Sequence, residues 1–537
     1  MNAAQRRSRT VLALALAVVL AACGAEQAPP DVLFVSLDSV RADDLTFTDP
    51  GAAPHMTRLA ERGTRFEQAV SGTSWTLPAH AQMFTGNPPL VHGAQIDTVR
   101  IDPLHPTLPE LLAARGYHTL GFWTGWYLAG EYGFARGFER YESAMTIDPA
   151  ANVALRRALE QRGDSEAAIE TLLEQVASHQ DITSEQLVEQ ARAALAELDD
   201  RRPVFLFAHF FDPHYDYIPP PPFDARFDPD YAGRIDGRGY WDNRAIFDAT
   251  KQPPRQISDR DLEHVRALYR GEIAWTDAAV GALLELFEQR RGLEHTLVVI
   301  AADHGEEFFE HGDRGHRNTL FDEVLRVPLL IAPPDLGPRA SGAGAPRAVA
   351  GQVTLSDLLP TVVDYAGAAL PEGIHGRSLR PWLEGGALPE RAAVSSLLVR
   401  REQPGVESQL WLTQALRTPR EKYVRTLSFH GGGRTRLRSF VRYDLQRDPA
   451  EAAPQLDVTP DEFRRLWDTF EDGLEPVRAA FAALPHSSAE ERGTRARERF
   501  SADLGALGYA EGGAEGDGEP GAPEPWLWSP PPRLTPP

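Results

Sequence analysis

Side chains that could bind a metal ion follow two buried-strand patterns in this chain. Asp303 and His304 follow the apolar run 296–301 with only Ala302 between, and Asp38 comes directly after the run 31–37. A carboxylate oxygen and an imidazole nitrogen side by side are common ligands of divalent metals. A polar loop after a strand is the plainer interpretation of Asp-His-Gly alone, and a loop-capping carboxylate is the plainer interpretation of Asp38.

A hydroxyl that could act as a nucleophile lies at the predicted start of a helix. Pro78 is typical of a first helical turn, so the pattern predicts a helix over 78–84 with Thr76 just before it. Free N–H groups and the helix dipole favour an anion at such an N-terminus. A metal could activate this hydroxyl, because metals lower the pKa of bound water from 15.7 to about 7. As an isolated pattern, Thr-x-Pro is more often an ordinary N-cap.

These side chains need a fold that brings strand ends together. Buried-strand patterns alternate with helical patterns along the chain, which predicts an α/β fold with a large, mostly parallel sheet flanked by helices. Ligands bind such sheets at the carboxyl ends of the strands. Asp38, Asp212 and Asp303 each follow a predicted strand, so we expect them to meet in one crevice.

Four segments, taken in order, resemble the sulfatase family of the alkaline phosphatase superfamily. They are Leu-Asp-Ser-Val-Arg-Ala-Asp from residue 37, Thr-Leu-Pro-Ala-His-Ala-Gln-Met-Phe-Thr-Gly from 76, Phe-Asp-Pro-His from 211 and Ala-Asp-His-Gly-Glu-Glu from 302. The resemblance covers residues 31–454. It implies an alkaline phosphatase-like α/β domain followed by a smaller C-terminal α+β subdomain with a short antiparallel sheet.

The resemblance also implies roles for single residues. Asp38, Asp303 and His304 match the family's metal ligands, and Thr76 matches its nucleophile position. His80 takes the place of an arginine that holds the nucleophile in classical sulfatases.

Further imidazole and guanidinium groups are implied around the bound anion. His214 matches a histidine that contacts the ester oxygens, and His316 falls where the family has cationic groups. Either of them could protonate the leaving alcohol. The other residues expected to bind substrate are His209, Arg314 and Arg317.

Three departures separate this chain from classical sulfatases. Those enzymes oxidise a Cys or Ser to formylglycine, whereas this chain has Thr76, so we expect no formylglycine. The usual second Asp of the first strand is Ser39, and the family's Gly-Lys-Trp segment is Thr124-Gly125-Trp126, which lacks the lysine. The pattern is closer to the Thr-nucleophile branch, which includes phosphodiesterases and phosphoglycerol transferases.

Together these observations predict a metal-dependent hydrolase of sulfuric or phosphoric esters that uses Thr76 and a covalent intermediate. A threonine sulfate ester cannot collapse to an aldehyde as a formylglycine diol does, so the chemistry favours phosphoric esters. Transfer of the phospho group to an envelope lipid or glycan is one alternative, and a non-catalytic lipoprotein that binds anionic glycans is another. One divalent metal is expected, and Ca, Mg, Mn and Zn all fit such ligands. A second metal, held by Asp212, His214 or His316, is compatible with the sequence but is not required.

The charge balance restricts the partners. The chain has 55 Lys+Arg against 77 Asp+Glu, a formal net charge of −22. Nucleic acids need a basic surface to neutralise their phosphates. We therefore expect no nucleic-acid partner and a small anionic ester as substrate, alone or on a glycan or lipid.

The N-terminal segment predicts a lipid anchor. Leu20-Ala21-Ala22-Cys23-Gly24 follows a basic segment and a short apolar run, and it resembles the signal of bacterial lipoproteins, with Cys23 as the lipidated residue. An ordinary secretory signal with a chance cysteine is the alternative. The expected location is the bacterial cell envelope, on the outer membrane facing the periplasm or the exterior. The predicted division of the chain is a signal peptide at 1–22, a tether at 23–30, a sulfatase-like catalytic domain at 31–417, a C-terminal subdomain at 418–510 and a disordered tail at 511–537.

Overall fold

The computed structural model describes residues 28–96, 99–145, 183–240, 244, 246–248, 251, 254–334, 347–403, 406–430, 434–455 and 459–483. The predicted signal peptide, Cys23 and the predicted tail lie outside these residues. Within the described ranges, no helix combines the length and the apolar character needed to cross a bilayer.

Seventeen strands and eleven α-helices are numbered here in chain order, counting only the described residues. The strands are β1 Asp31–Leu37, β2 Thr64–Phe66, β3 Ala69–Val70, β4 His118–Trp123, β5 Arg140–Ser143, β6 Val204–Phe210, β7 Thr296–Ala302, β8 Glu307–Phe308, β9 Arg314–Gly315, β10 Arg326–Val327, β11 Leu329–Ala332, β12 Arg347–Val349, β13 Val353–Thr354, β14 Ala393–Gln403, β15 Val406–Arg417, β16 Glu421–His430 and β17 Arg434–Asp444. The helices are α1 Pro54–Ala60, α2 Thr76–Thr85, α3 Pro89–His92, α4 Leu108–Ala114, α5 Ser184–Ala196, α6 Asp259–Arg290, α7 Asp322–Leu325, α8 Leu358–Ala366, α9 Arg380–Leu383, α10 Pro460–Gly473 and α11 Glu475–Ala482.

The main sheet has eight strands in the order β12-β2-β11-β7-β1-β6-β4-β5. The five strands from β7 to β5 run parallel to one another, and β11 runs antiparallel beside β7. The predicted large, mostly parallel sheet is confirmed. The central strands β1, β6 and β7 are buried along their whole length, as expected for continuous apolar runs covered on both faces.

Local sequence signals set the ends of several helices. Thr107 and Glu110 form a capping box before α4, and the Ser258 hydroxyl accepts the backbone N–H of Asp261 at the start of α6. The 32-residue α6 buries one face, including Leu268, Ile273 and other apolar residues of the core. These helices support the sheet that carries the site.

The C-terminal part forms a separate antiparallel sheet with the strand order β14-β15-β16-β17. The predicted division at residues 417 and 418 falls between β15 and β16, inside this sheet, which begins at Ala393. Thr418 itself lies in a tight turn, in which the Thr418 N–H donates to the Glu421 carbonyl at 2.8 Å. The boundary of the sheet therefore lies earlier in the chain than the sequence pattern suggested.

Candidate active site

Two strand ends bring Asp38 and Asp303 together. Strands β1 and β7 are paired with Leu37 opposite Ala302, so the residue after each strand emerges at the same sheet edge. The Asp303 N–H donates to the Leu37 carbonyl at 3.2 Å, and the Asp38 N–H donates to the Phe210 carbonyl of β6 at 2.9 Å. Both carboxylates are fully buried. The expected convergence of strand ends thus holds for these two residues.

Among the described residues, Asp303 forms hydrogen bonds through only one of its oxygens. Its Oδ1 accepts the backbone N–H of Ser39 at 3.1 Å and that of His304 at 2.8 Å. Its Oδ2 is buried and has no hydrogen-bond partner among the described residues. The Oδ1 contacts fix the plane of the carboxylate, so Oδ2 is aimed at the centre of the site.

His304 presents a lone pair to the same centre. Its Nδ1 bonds the Gly305 carbonyl at 2.9 Å, and a carbonyl only accepts, so Nδ1 carries a proton. Nε2 lies 3.4 Å from Asp303 Oδ2 and 3.7 Å from Asp38 Oδ1. A backbone partner that fixes the imidazole tautomer is typical of a metal-ligating histidine.

The Thr76 hydroxyl joins this group. Its Oγ1 donates to Asp38 Oδ2 at 3.3 Å and lies 3.5 Å from His304 Nε2. Helix α2 begins at Thr76, with Trp75 in extended conformation at the cap position, so the predicted start at Pro78 was two residues late. Thr76 is therefore the first helical residue, and its hydroxyl bonds a strand-end carboxylate and not its own helix.

The two carboxylates have pKa shifts in opposite directions. Burial opposes the charge of Asp38, but the imidazoles of His209, His214 and His304 outweigh it and hold its pKa well below the ordinary value. Burial and the charge of Asp38 raise the pKa of Asp303 well above its ordinary value. No Lys or Arg of the described chain pairs with either carboxylate.

Asp38, Asp303 and His304 have donor atoms close enough to share one ion. These atoms all lie within 4.8 Å of one another. Two donors bound about 2.0–2.1 Å from one tetrahedral ion are about 3.3–3.4 Å apart, which is close to the separations found here. Asp303 Oδ2 supplies a donor with no hydrogen-bond partner among the described residues, and His304 Nε2 supplies a second, whose contact with Thr76 Oγ1 is long at 3.5 Å. The residues present therefore fit a divalent metal.

His80 is held by two hydrogen bonds away from the hydroxyl. Its Nδ1 donates to the Thr76 carbonyl at 2.9 Å, and its Nε2 lies 2.8 Å from the Ser36 hydroxyl. Burial and the neighbouring His209 lower its pKa well below the ordinary value, so the ring is neutral. His80 thus positions the backbone of Thr76. Ser36, inside β1, gave no signal of this contact in the sequence.

His214 and His316 lie beside the group as a chain of imidazoles. The ring centroids of His304 and His316 are 4.4 Å apart, and those of His316 and His214 are 4.8 Å apart. His316 Nδ1 lies 3.2 Å from Glu306 Oε1, and burial raises the pKa of Glu306 to about 8. Glu306 was part of a recognised segment, but its contact with His316 was not predicted.

The two candidate arginines have different surroundings. The Arg317 guanidinium carbon lies 4.1 Å from the Trp75 ring centroid, and its Nη1 donates to the Tyr127 hydroxyl at 3.0 Å. Its backbone N–H donates to the Ser74 carbonyl at 2.8 Å. Arg314 instead packs its guanidinium 4.1 Å from the Phe247 ring centroid. Arg317 is thus the arginine attached to the segment that carries the candidate nucleophile.

Asp212 does not share the arrangement of the other two strand-end carboxylates. It accepts the Thr183 N–H at Oδ1, at 2.9 Å, and its Oδ2 accepts the Ser184 hydroxyl. These contacts hold the start of α5, where Thr183 occupies the cap position. The start of α5 thus engages both oxygens of Asp212, and the meeting of all three strand-end aspartates in one crevice stays a prediction for this residue.

The mostly parallel sheet, with carboxylates and histidines buried at its strand ends, defines an α/β protein of the alkaline phosphatase-like class. Residues 30–368 match the family model described as Sulfatase. This match covers more than half of the chain, so the chain belongs to the sulfatase family.

Known proteins share the fold and part of the sequence. Arylsulfatase K of Mus musculus is 25% identical over 389 residues, which cover 68% of this chain and 65%, just under two thirds, of the mouse protein. The crystal structure of a phosphonate monoester hydrolase of Agrobacterium radiobacter superposes with a TM-score of 0.62 at 22% identity, over 84% of this chain and 96% of that chain. A structure in complex with its substrate D-glucosamine-2-N,6-O-disulfate has a TM-score of 0.60 at 19% identity, over 84% and 98%. At such identities the two structures show the common fold.

Proposed function

We propose that this chain is a metal-dependent hydrolase of sulfuric or phosphoric esters, phosphonate esters included, with the Thr76 hydroxyl as its nucleophile. The observation that carries the proposal is the position of Thr76 Oγ1, 3.3 Å from Asp38 Oδ2 and 3.5 Å from His304 Nε2. A threonine hydroxyl acting as an ordinary helix cap would bond its own backbone and have no reason to face buried carboxylates.

Asp38, Asp303 and His304 would hold the metal, which when bound lowers the pKa of a neighbouring hydroxyl and polarises an ester oxygen. The chain itself orients the nucleophile. His80 donates a hydrogen bond to the Thr76 carbonyl, and Asp38 accepts a hydrogen bond from the Thr76 hydroxyl. The lone pairs of Thr76 Oγ1 therefore point away from Asp38. This fixed orientation removes much of the entropic barrier to attack.

The reaction would proceed in two steps. Thr76 Oγ1 loses its proton to water and forms a bond to the phosphorus or sulfur, the bond to the ester alcohol breaks, and His214 or His316 gives that alcohol a proton. Water then cleaves the threonine ester, returns a proton to Oγ1 and releases the anion. His214, His316 and Arg317 would stabilise charge on the non-bridging oxygens during both steps.

Among the two ester classes, the chemistry favours phosphorus. A threonine sulfate has no internal route of release, whereas phosphate esters are hydrolysed by water at metal sites. Similarity to proteins named as sulfatases and as a phosphonate monoester hydrolase supports an ester of either element. The structural neighbour bound to a disulfated glucosamine supports an anionic ester on a glycan as the substrate class.

The deciding experiment is a substrate panel with chemical trapping. Purified protein is assayed with sulfate monoesters, phosphate monoesters, phosphodiesters and phosphonate monoesters, each with Ca²⁺, Mg²⁺, Mn²⁺ or Zn²⁺. Acid-quenched samples are then digested, and the mass of the peptide that contains Thr76 is measured by mass spectrometry. We expect turnover of at least one class and a mass increase on that peptide. Turnover without any adduct on Thr76 would contradict the nucleophile, and product found only on added acceptor alcohols would make the protein a transferase.

We also propose that Cys23 is lipidated and anchors the protein in the cell envelope, at the outer membrane. The support is the arrangement of the sequence around Cys23, the single cysteine of the chain. Expression in a diderm bacterium, detergent partition and the mass of the N-terminal peptide test it, with Cys23→Ser as control. A wild-type protein that partitions into water as the variant does would contradict the anchor.

A further inference from the structure

Five imidazoles lie around the two buried carboxylates of the site, and they differ in their access to solvent. The fully buried ones are His80, His209 and His304. His209, which the sequence suggested as a substrate contact, lies inside β6, with Nδ1 on the Thr124 carbonyl and Nε2 3.4 Å from Asp38 Oδ2. Only His214 and His316 keep exposed surface, 5% and 7%. These two rings are therefore the ones that an ester alcohol can reach.

A buried carboxylate lies behind the ring of His316. Glu306 Oε1 is 3.2 Å from His316 Nδ1, and Glu306 Oε2 accepts the Tyr217 hydroxyl at 3.0 Å. The contact with the ring holds whether the shared proton rests on nitrogen or on oxygen, because one of the two groups donates in either case. His214 differs, because its Nδ1 bonds the carbonyl of the adjacent Tyr215.

Glu306 is itself fixed from two sides. The Arg41 guanidinium donates to its backbone carbonyl at 3.1 Å. Tyr217, which bonds its side chain, packs against Tyr269 and Phe308, with ring centroids 5.4 Å and 5.8 Å away. A group that has already lost its conformational freedom can fix the direction of a ring at little further entropic cost.

A purely structural role would not require a carboxyl group at this position. Glu306 is fully buried, and no Lys or Arg of the described residues forms an ion pair with its side chain. Burial of an ionisable group is costly, and an amide would accept the Tyr217 hydroxyl equally well. The choice of Glu is explained if it serves His316, whose ring centroid lies 4.4 Å from that of His304, beside Thr76.

We propose that Glu306 is a positioning residue, which directs His316, and not His214, to the leaving alcohol. His316 gives the proton of Nε2 to the leaving oxygen as the bond from that oxygen to phosphorus or sulfur breaks. Nδ1 stays hydrogen-bonded to Glu306, and the ring then regains a proton from water. This inference rests on the proposed function, since it names the proton donor of the reaction proposed there.

The test compares two leaving groups on the same acid. An alkyl alcohol needs a proton as it leaves, whereas 4-nitrophenolate does not, so a misplaced acid slows only the alkyl ester. Glu306→Met keeps a similar volume without hydrogen bonds. It should lower kcat/KM at least about 100-fold for the alkyl ester and less than about threefold for the 4-nitrophenyl ester. Glu306→Gln, which can still hydrogen-bond the ring, should recover at least about tenfold of that loss.

Three further variants separate the position of the ring from the stability of the fold. His316→Asn should show the same selective loss, and adding Glu306→Met to it should cost little more, because the two residues act as a unit. The matched control is Tyr240→Phe. Tyr240 packs 5.3 Å from the Tyr217 ring, but its hydroxyl has no hydrogen-bond partner among the described residues, so both esters should react as in wild type. A selective loss in His214→Asn and none in His316→Asn would overturn the inference.

Crystal structures of the variants give a readout that needs no substrate. The His316 ring should turn in Glu306→Met and keep its direction in Glu306→Gln and Tyr240→Phe. An unmoved ring in Glu306→Met would overturn the inference, and so would equal losses on the two esters or equal rates of the Met and Gln variants.

The outcomes also distinguish this inference from the proposed function. A wild-type protein that cleaves no ester would refute the hydrolase, and the role of Glu306 with it. An adduct on Thr76, with equal losses on the two esters in Glu306→Met, would refute the role of Glu306 alone. If Glu306→Met fails to fold by circular dichroism, the comparison of His316→Asn with His214→Asn decides.

Discussion

Two buried clusters in this molecule each contain two carboxylates, but the negative charge of these carboxylates is balanced in different ways. The strand-tip cluster consists of Asp38, Asp303, His209 and His304. The subdomain cluster joins Asp322 of α7 to Arg417 and Lys422 of the C-terminal sheet and to Glu451, which follows that sheet in the chain. The first has two carboxylates with no cationic Lys or Arg in the described chain, and the second contains two carboxylates with two cations.

The subdomain cluster is closed by short contacts within the chain. Lys422 Nζ lies 3.1 Å from Asp322 Oδ1 and 2.8 Å from Glu451 Oε1, and Arg417 Nη2 lies 2.7 Å from Asp322 Oδ2. Burial opposes the charge of Asp322, but Lys422 and Arg417 outweigh it and hold its pKa far below the ordinary value. Its formal charges cancel without any ligand.

The difference shows how a buried carboxylate that supports the fold can be told from one that serves a site. Burying an ion is costly unless it is paired, and the subdomain cluster provides its own partners. The strand-tip cluster leaves Asp303 Oδ2 and His209 Nε2 unpaired, so a cation from outside must complete it. Each prediction below tests one side of this contrast.

The largest effect on activity is expected at Thr76, whose hydroxyl contacts the strand-tip cluster. Thr76→Ala removes the nucleophile and should lower kcat by roughly 10⁴-fold or more, as with other nucleophile deletions. Metal content and melting temperature should stay near wild type, because Thr76 is not one of the proposed metal ligands and makes one long hydrogen bond, of 3.3 Å, to Asp38. Steady-state kinetics and elemental analysis measure both, and activity within tenfold of wild type would exclude this role of Thr76.

Asp303→Asn should weaken metal binding and activity together. The substitution removes a charged metal ligand, and we expect metal affinity to fall at least about tenfold. Mutation of residues that only hydrogen-bond the ligands of a metal already lowers affinity by about that factor. The metal-free variant should be as stable as the metal-free wild type or more so, because the charge of Asp38 no longer repels a second carboxylate. Unchanged metal stoichiometry would contradict the assigned ligand.

The same substitution in the subdomain cluster should have the opposite effect. Asp322→Asn leaves Lys422 and Arg417 without their shared carboxylate, and we expect the free energy of unfolding to fall by about 3 kcal/mol. Metal content of the folded protein should not change. Chemical denaturation compares this variant with Asp303→Asn in metal-free buffer, and equal losses of stability would remove the distinction between the clusters.

The smallest expected effect is a pH dependence of the stability that Asp322→Asn removes. Because the folded pKa of Asp322 is depressed, its stabilising contribution is complete above the unfolded value near 3.8 and is lost as the pH falls below it. The stability difference between wild type and Asp322→Asn should therefore be constant from pH 5 upward, over the range where the protein is folded. It should narrow below about pH 4. Denaturation series at several pH values measure it, and a difference independent of pH down to 3 would contradict this account.

Sequence patterns were sufficient to predict the structure where a chemically reactive residue directly follows a strand. The runs before Asp38 and Asp303 are strands, as predicted, and the alternation of strands and helices gave the α/β class. They were insufficient where a partner is remote in sequence. The contact between His209 and Thr124 joins residues 85 positions apart, and nothing in the spacing of either segment indicates which ring nitrogen faces the carboxylates.

The amino-acid sequence by itself determined the family, the parallel sheet and the presence of Asp38, Thr76, Asp303 and His304 at the ends of elements, because these depend on short apolar runs and local motifs. Only the tertiary structure decided that Asp212 holds a helix start and that His209 turns towards Asp38. Hydrogen bonds between distant segments set the direction of a side chain, and these bonds exist only once the chain has packed.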